Sequence, residues 1–200
     1  MKSSKYIYII LCAFVSYVAF AQENNASNNN IKTGAETSTV VHKVNWFSIN
    51  DAVNNNFKEP KKIVVDVYTD WCGWCKVLDK NTFSNEHVSG YMNEHFYPVK
   101  FNAEQKDSLE IFGKTYKFVA QGRRGYHEFA AALLSGQMSY PKVVFMEVIP
   151  GVETKINVLY IISGYVDAKK FHQIATFFGD DHYKTTKWEE WAPTYVSPIQ

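Results

Sequence analysis

The sequence predicts an α/β fold with a central mixed β-sheet flanked by helices, and three observations carry that reading. Helical and β-branched segments alternate from about residue 46 to residue 101, a pattern that implies a parallel sheet with crossover helices. Farther along, two strand-like runs on either side of Pro150-Gly151 imply an antiparallel hairpin, which makes the sheet mixed. Between these regions, Cys72 and Cys75 stand where a strand gives way to a helix.

The 200 residues suffice for one domain of ordinary size with a single core. Apolar residues make up 46% and aromatics 16%, enough to build that core by packing, without disulfide staples or a structural metal. The formal charge is +1, and the basic clusters are no longer than Lys61-Lys62 and Arg123-Arg124. Phosphate binding needs a basic face or stripe, so nucleic acid is not expected as a partner.

Residues 1–21 read as an export signal. Lys2 and Lys5 precede the apolar run Tyr6 to Phe20, and Ala19-Phe20-Ala21 presents small residues for cleavage before Gln22. A run of about 15 residues is shorter than the roughly 20 a membrane-spanning helix needs. Cys12 lies inside this run, behind Leu11 where a lipoprotein signal needs a small residue, and it is expected to leave with the leader. The mature protein would then be soluble in the periplasm or outside the cell, with Cys72 and Cys75 as its remaining thiols. Residues 22–40, rich in Asn, Ser and Thr, read as a flexible linker. A folded domain over 41–180 and a C-terminal tail over 181–200 complete the division.

Within the domain, Trp46, Ile49, Ala52, Val53 and Phe57 recur as one face of a helix that Pro60 ends. Ile63 to Tyr68 is nearly continuous in apolar residues, as expected of a central strand covered on both faces. Helical patterning resumes over Cys75 to Phe83 and again over Asn85 to Phe96, with Ser84 able to cap the second segment; Tyr97 to Phe101 reads as the next strand. Glu104 to Ser139 is too long for a simple connection and carries a helical pattern over Tyr126 to Leu134, so it reads as an inserted helix and loop. Val143 to Val148 and Ile156 to Ile162 form the hairpin strands. Ala168 to Phe178 forms the last helix, stopped by Gly179, and residues 181–200 show no period.

The chemistry is concentrated in Trp71-Cys72-Gly73-Trp74-Cys75-Lys76. At a helix start the first thiol meets unpaired amides and the positive end of the helix dipole, which favours its thiolate. The second thiol, one turn later, is close enough to attack a mixed disulfide formed by the first. Cys72 is therefore the expected nucleophile and Cys75 the resolving thiol. A bridge over two intervening residues restricts the unfolded chain little, so its use is redox exchange rather than stapling. A structural zinc site would need a second cysteine pair, and c-type haem attachment would need His where Lys76 stands, so neither cofactor is expected and no metal ligand is assigned.

The run Val65-Asp66-Val67-Tyr68-Thr69-Asp70-Trp71-Cys72-Gly73-Trp74-Cys75-Lys76 resembles the active-site segment of the thioredoxin superfamily. It is similar in particular to exported bacterial thioredoxin-like proteins and to the C-terminal domain of transmembrane thiol-disulfide interchange proteins. The resemblance spans about Val44 to Phe178 and is weakest over Gln105 to Ser139. It implies that Asp66 is the buried carboxylate that helps Cys75 lose its proton, that Lys100 faces it, and that Pro141 is the cis-proline closing the substrate groove. Trp71, Trp74 and Tyr140 would contact substrate alongside Pro141. Tyr140 stands where a small polar residue is usual, and Trp74 replaces a proline between the cysteines.

The function expected from these residues is disulfide exchange with protein or small-molecule thiols and disulfides, in a chain acting as a monomer. The resemblance is greater to reducing than to strongly oxidising relatives, so a protein-disulfide reductase is expected. Outside the cytoplasm such a reductase implies a membrane thiol-disulfide electron donor. The alternative is a binding module that holds a protein partner or Cu(I) on its thiolates and never turns over.

Overall fold

The computed structural model describes residues 43–200; the expected signal and the linker lie outside the described residues. Helix α1 (Ile49–Lys58) begins at Ser48, whose hydroxyl accepts from the Asp51 amide at 3.1 Å, and buries Ile49, Ala52 and Val53. Strand β1 (Lys62–Tyr68) follows, then helix α2 (Gly73–Leu78), which continues without a break as a π-helical segment, Asp79–Phe83. Helix α3 (Glu86–His95) leads into β2 (Phe96–Asn102). Its cap is Asn85 rather than Ser84: Asn85 Oδ1 accepts from the His87 and Val88 amides, while the Ser84 hydroxyl bonds back to the Lys80 carbonyl.

The insertion is more ordered than one helix and a loop. It holds two short hairpins, β3 (Leu109–Ile111) with β4 (Lys114–Tyr116) and β5 (Phe118–Gln121) with β6 (Arg124–His127), followed by helix α4 (Glu128–Leu133). The helix starts later than its pattern suggests because Tyr126 and His127 pair with Val119 and Phe118. Strands this short show too few alternations to be read from sequence. The insertion is tied to the domain by His127: its amide donates to the Ala103 carbonyl at 2.7 Å, and its fully buried ring accepts from the Phe129 amide through Nδ1 and meets the Asp107 carbonyl through Nε2.

Strands β7 (Lys142–Ile149) and β8 (Lys155–Ser163) complete a four-stranded sheet of order β2-β1-β7-β8, in which β1 and β2 are parallel and the other pairs antiparallel. Helix α5 (Ala168–Gly179) follows. Ile63 through Val67 are all buried, as the continuous apolar run requires. Strand alternation then divides them: Ile63, Val65 and Val67 join α1 and α4 in one core, and Val64 joins α2, α3 and α5 in the other. Residues 181–200, which have no sequence period, form single turns and a one-turn helix, α6 (Trp188–Trp191), that fold back on α5. Trp188 and Trp191 lie 5.1 and 5.2 Å from the Phe177 ring, so aromatic contacts hold this segment in the absence of an amphipathic stripe.

Candidate redox-active site

Strand β1 ends beside the N-terminal end of β7, since Val67 pairs with Lys142. A turn closed by the Cys72 amide on the Thr69 carbonyl carries the chain from β1 into α2. Cys72 caps that helix: its sulfur accepts from the Cys75 amide at 3.1 Å. The two sulfurs are bonded, with Cα atoms 5.3 Å apart, and both residues are almost enclosed, at 4% and 3% exposure. An amide aimed at the Cys72 sulfur stabilises negative charge there when the pair is reduced.

Asp66 lies on the same face of β1 as Val64, whose core includes Leu78 and Phe83 of the α2 segment, and so on the side of the sheet that α2 covers. Its carboxyl is 1% exposed and is pushed up to about 6, because burial outweighs the Lys100 ammonium 3.2 Å from Oδ2. Lys100 comes from β2, directly opposite Asp66 in register, and also pairs with Asp79 at the first position of the π segment. Burial would lower the Lys100 ammonium, but Asp66 and Asp79 outweigh that and hold it above its ordinary value. The rings of Trp46 and Tyr68, 5.1 and 5.2 Å from Lys100 Nζ, complete its surroundings.

The rim of the disulfide is aromatic on both sides. Trp71 and Trp74 are 51% and 62% exposed. Trp71 meets Tyr140 edge-on at 6.0 Å, and burial pushes the Tyr140 hydroxyl up to about 12. The Tyr140–Pro141 peptide is cis, and the Pro141 carbonyl accepts from Gly164 at 2.9 Å. Gly164, at φ +86°, turns the chain out of β8 so that Tyr165 reaches Trp74, 5.8 Å between rings. The buried Thr82 hydroxyl, bonded to the Val166 carbonyl at 2.6 Å, ties this turn to the α2 segment.

The structure thus brings Asp66 to Lys100, Trp71 to Tyr140, and Trp74 to a different partner, Tyr165. Two residues of the site and one that borders it were missed in the sequence. Asp79 lies one helical turn beyond Cys75, a spacing that could have drawn notice. Tyr165 follows the turn glycine Gly164. Arg124, whose guanidinium lies 4.1 Å from the Trp71 ring centre, was legible only as half of a basic doublet between two glycines.

Fold and site together define a thioredoxin-like protein with a close Cys-x-x-Cys pair. The chain belongs to the Thioredox_DsbH family, described as a protein of unknown function, DUF255, which matches residues 35–149. A thioredoxin-fold protein from Helicobacter pylori superposes with a TM-score of 0.50 at 18% identity, covering 78% of this chain and 89% of that one, which speaks for the fold alone. Among curated proteins, the chain is 23% identical over 84 residues to the uncharacterized protein B0495.5 of Caenorhabditis elegans and 27% identical over 74 residues to human spermatogenesis-associated protein 20. Those matches cover 42% and 36% of this chain but only 12% and 9% of the two relatives.

Proposed function

We propose that this chain is an exported thiol-disulfide oxidoreductase that reduces protein disulfides through Cys72 and Cys75. One observation carries the reading: a sulfur that caps a helix, bonded to a partner one turn later, where that helix covers the sheet face carrying a buried carboxyl whose pKa of about 6 lies near neutrality. In the reduced protein, the Cys72 thiolate attacks a substrate disulfide. A bond forms between Cys72 and one substrate sulfur, the substrate bond breaks, and the departing thiolate takes a proton. Cys75 gives its proton to Asp66 and attacks Cys72, closing the Cys72–Cys75 bond and freeing the second substrate thiol. The substrate gains the electron pair and protons that the dithiol loses.

Lys100 and Asp79 act as positioning residues, holding the Asp66 proton equilibrium near neutrality. Substrate reaches the enclosed sulfurs through Trp71, Trp74, Tyr140 and Pro141. Turnover requires a dithiol donor, and in the periplasm a membrane thiol-disulfide protein supplies it to the monomeric chain.

The test is insulin reduction together with equilibration of the Cys72–Cys75 couple against glutathione. A potential near about −270 mV, as in thioredoxin, supports a reductase, whereas one near about −120 mV would make the protein an oxidant. A chain that binds Cu(I) when reduced but turns over no disulfide would overturn the enzymatic reading.

A further inference from the structure

The β5–β6 hairpin brings Arg124 to the rim of the disulfide, with Arg123 next to it in the hairpin turn. Both are exposed, and neither forms an ion pair with a carboxylate among the described residues. This includes Asp70, next to Trp71 in sequence, and Glu104, whose charge reaches Tyr140. Arg124 lies over the ring of Trp71, the residue before Cys72. Stacking uses the face of a guanidinium and leaves its in-plane N–H groups free, in the geometry that grips a carboxylate with two hydrogen bonds.

The hairpin that holds Arg124 is itself braced. The Phe118 ring and the Val119 carbonyl occupy the space a side chain would need at Gly125: a Cβ there would stand 2.2 Å from the ring and 2.3 Å from the oxygen. The last residue of β6, His127, is anchored to the Ala103 carbonyl. Across the disulfide, Trp74 and Tyr165 offer exposed aromatic faces with no cation over either ring among the described residues; the nearby Lys142 ammonium is buried and donates to the Ser163 hydroxyl. The rim is therefore polar in the directional sense, with the unpaired Arg124 guanidinium on the Trp71 side and exposed aromatic faces on the Trp74 side. An occupant that uses both sides runs past the sulfurs in each direction, as an extended chain segment does.

We propose that this rim docks an extended polypeptide with Asp or Glu beside its half-cystine, the carboxylate on Arg124 with Arg123 adjacent and an apolar residue on Trp74 and Tyr165. The inference deepens the reading of the chain as a protein-disulfide reductase. The insertion acts as its selectivity element: charge on the hairpin speeds encounter with acidic substrates and disfavours basic ones.

The experiment uses the mature chain and two synthetic disulfide peptides that differ only in Glu or Lys beside the cystine, with hydroxyethyl disulfide and glutathione disulfide as further substrates. At low ionic strength the Glu peptide should be reduced about tenfold faster than the Lys peptide. The double substitution R123Q/R124Q should erase that ratio while leaving hydroxyethyl disulfide unchanged. Equal rates on the two peptides, or a preference that survives the double substitution, overturns the inference. An arginine-dependent preference confined to glutathione disulfide also overturns it, in favour of a small-thiol site. Failure with hydroxyethyl disulfide sinks the redox reading instead. Docking is then judged by Trp fluorescence with Ser-for-Cys versions of the peptides: saturable quenching by the Glu peptide alone, lost in R123Q/R124Q, supports it, and equal responses overturn it.

Discussion

Central strand β1 and the inserted β5–β6 hairpin both border the disulfide, yet each carries a buried titratable group that responds to pH in the opposite sense. Asp66 in β1 is raised to about 6 by burial, so the folded chain holds its proton more tightly than the unfolded one. Its protonated form contributes stability fully below the unfolded value of 3.8, and that contribution is lost as pH rises through about 6. His127, at the end of β6, is lowered by burial, so the folded chain binds its proton more weakly. Stability from neutral His127 is present above the ordinary value of 6.5 and is lost as pH falls. The contrast separates two jobs. The strand tolerates an unfavourable charge at neutral pH, as a group that accepts a proton must, whereas the insertion is built on a neutral ring that only holds it in place.

The sharpest break between the regions is chemical. Cys72→Ser should reduce insulin turnover by about a thousandfold or more, because Cys72 is the thiol that forms the mixed disulfide, and Cys75→Ser should trap substrate covalently. Equal trapping by both variants would overturn the assigned roles. No change confined to the hairpin should reduce turnover of hydroxyethyl disulfide comparably.

Packing gives the next contrast. Phe145 on β7 is fully buried between Phe96, Phe171 and Phe178, so Phe145→Ala should cost about 3–5 kcal/mol and unfold the whole domain in a single earlier transition. Phe118, partly exposed over Gly125 with the Lys106 ammonium 3.1 Å from its ring centre, should cost only about 1 kcal/mol on truncation to Ala. Denaturant melts of the two variants decide the matter. Similar losses would mean that the hairpin belongs to the cooperative core.

Asp66→Asn removes the ionisable group without removing its bulk. The stability difference from wild type should be small near pH 4 and favour the variant by up to about 3 kcal/mol near pH 8, where wild type buries a carboxylate. A constant difference across that range would show that Asp66 does not titrate as described. Insulin reduction by the variant should also slow most near neutral pH, where the proton acceptor is needed.

The smallest effect belongs to His127. Between pH 7 and pH 5, amide exchange should lose protection in β5, β6 and the first turn of α4 after correction for the intrinsic pH dependence of exchange, with β1 unaffected. Replacing His127 by Gln should remove that pH response. Uniform loss across both regions would mean the insertion does not open on its own.

The chain by itself determined the parts whose physics is local. The apolar run at Ile63 to Val67 can be satisfied only by burial on both faces, and it is buried on both. The Cys72 to Cys75 spacing brings two thiols within bonding reach as soon as a helix forms between them. Helices with a strong apolar period, α1 and α5, appear close to where their spacing places them, because one stripe must meet the sheet. Tertiary structure decided what depends on residues distant in sequence. Lys100 and Asp79 meet at Asp66 only because β2 lies parallel to β1 in one register. Tyr165 meets Trp74, and Arg124 meets Trp71, only because a glycine turn and a braced hairpin deliver them to the two tryptophans that flank Cys72. Short hairpins and aromatic packing of residues 181–200 carry no period of their own. Their stability comes from the surface they close on, and that surface exists only once the sheet has formed.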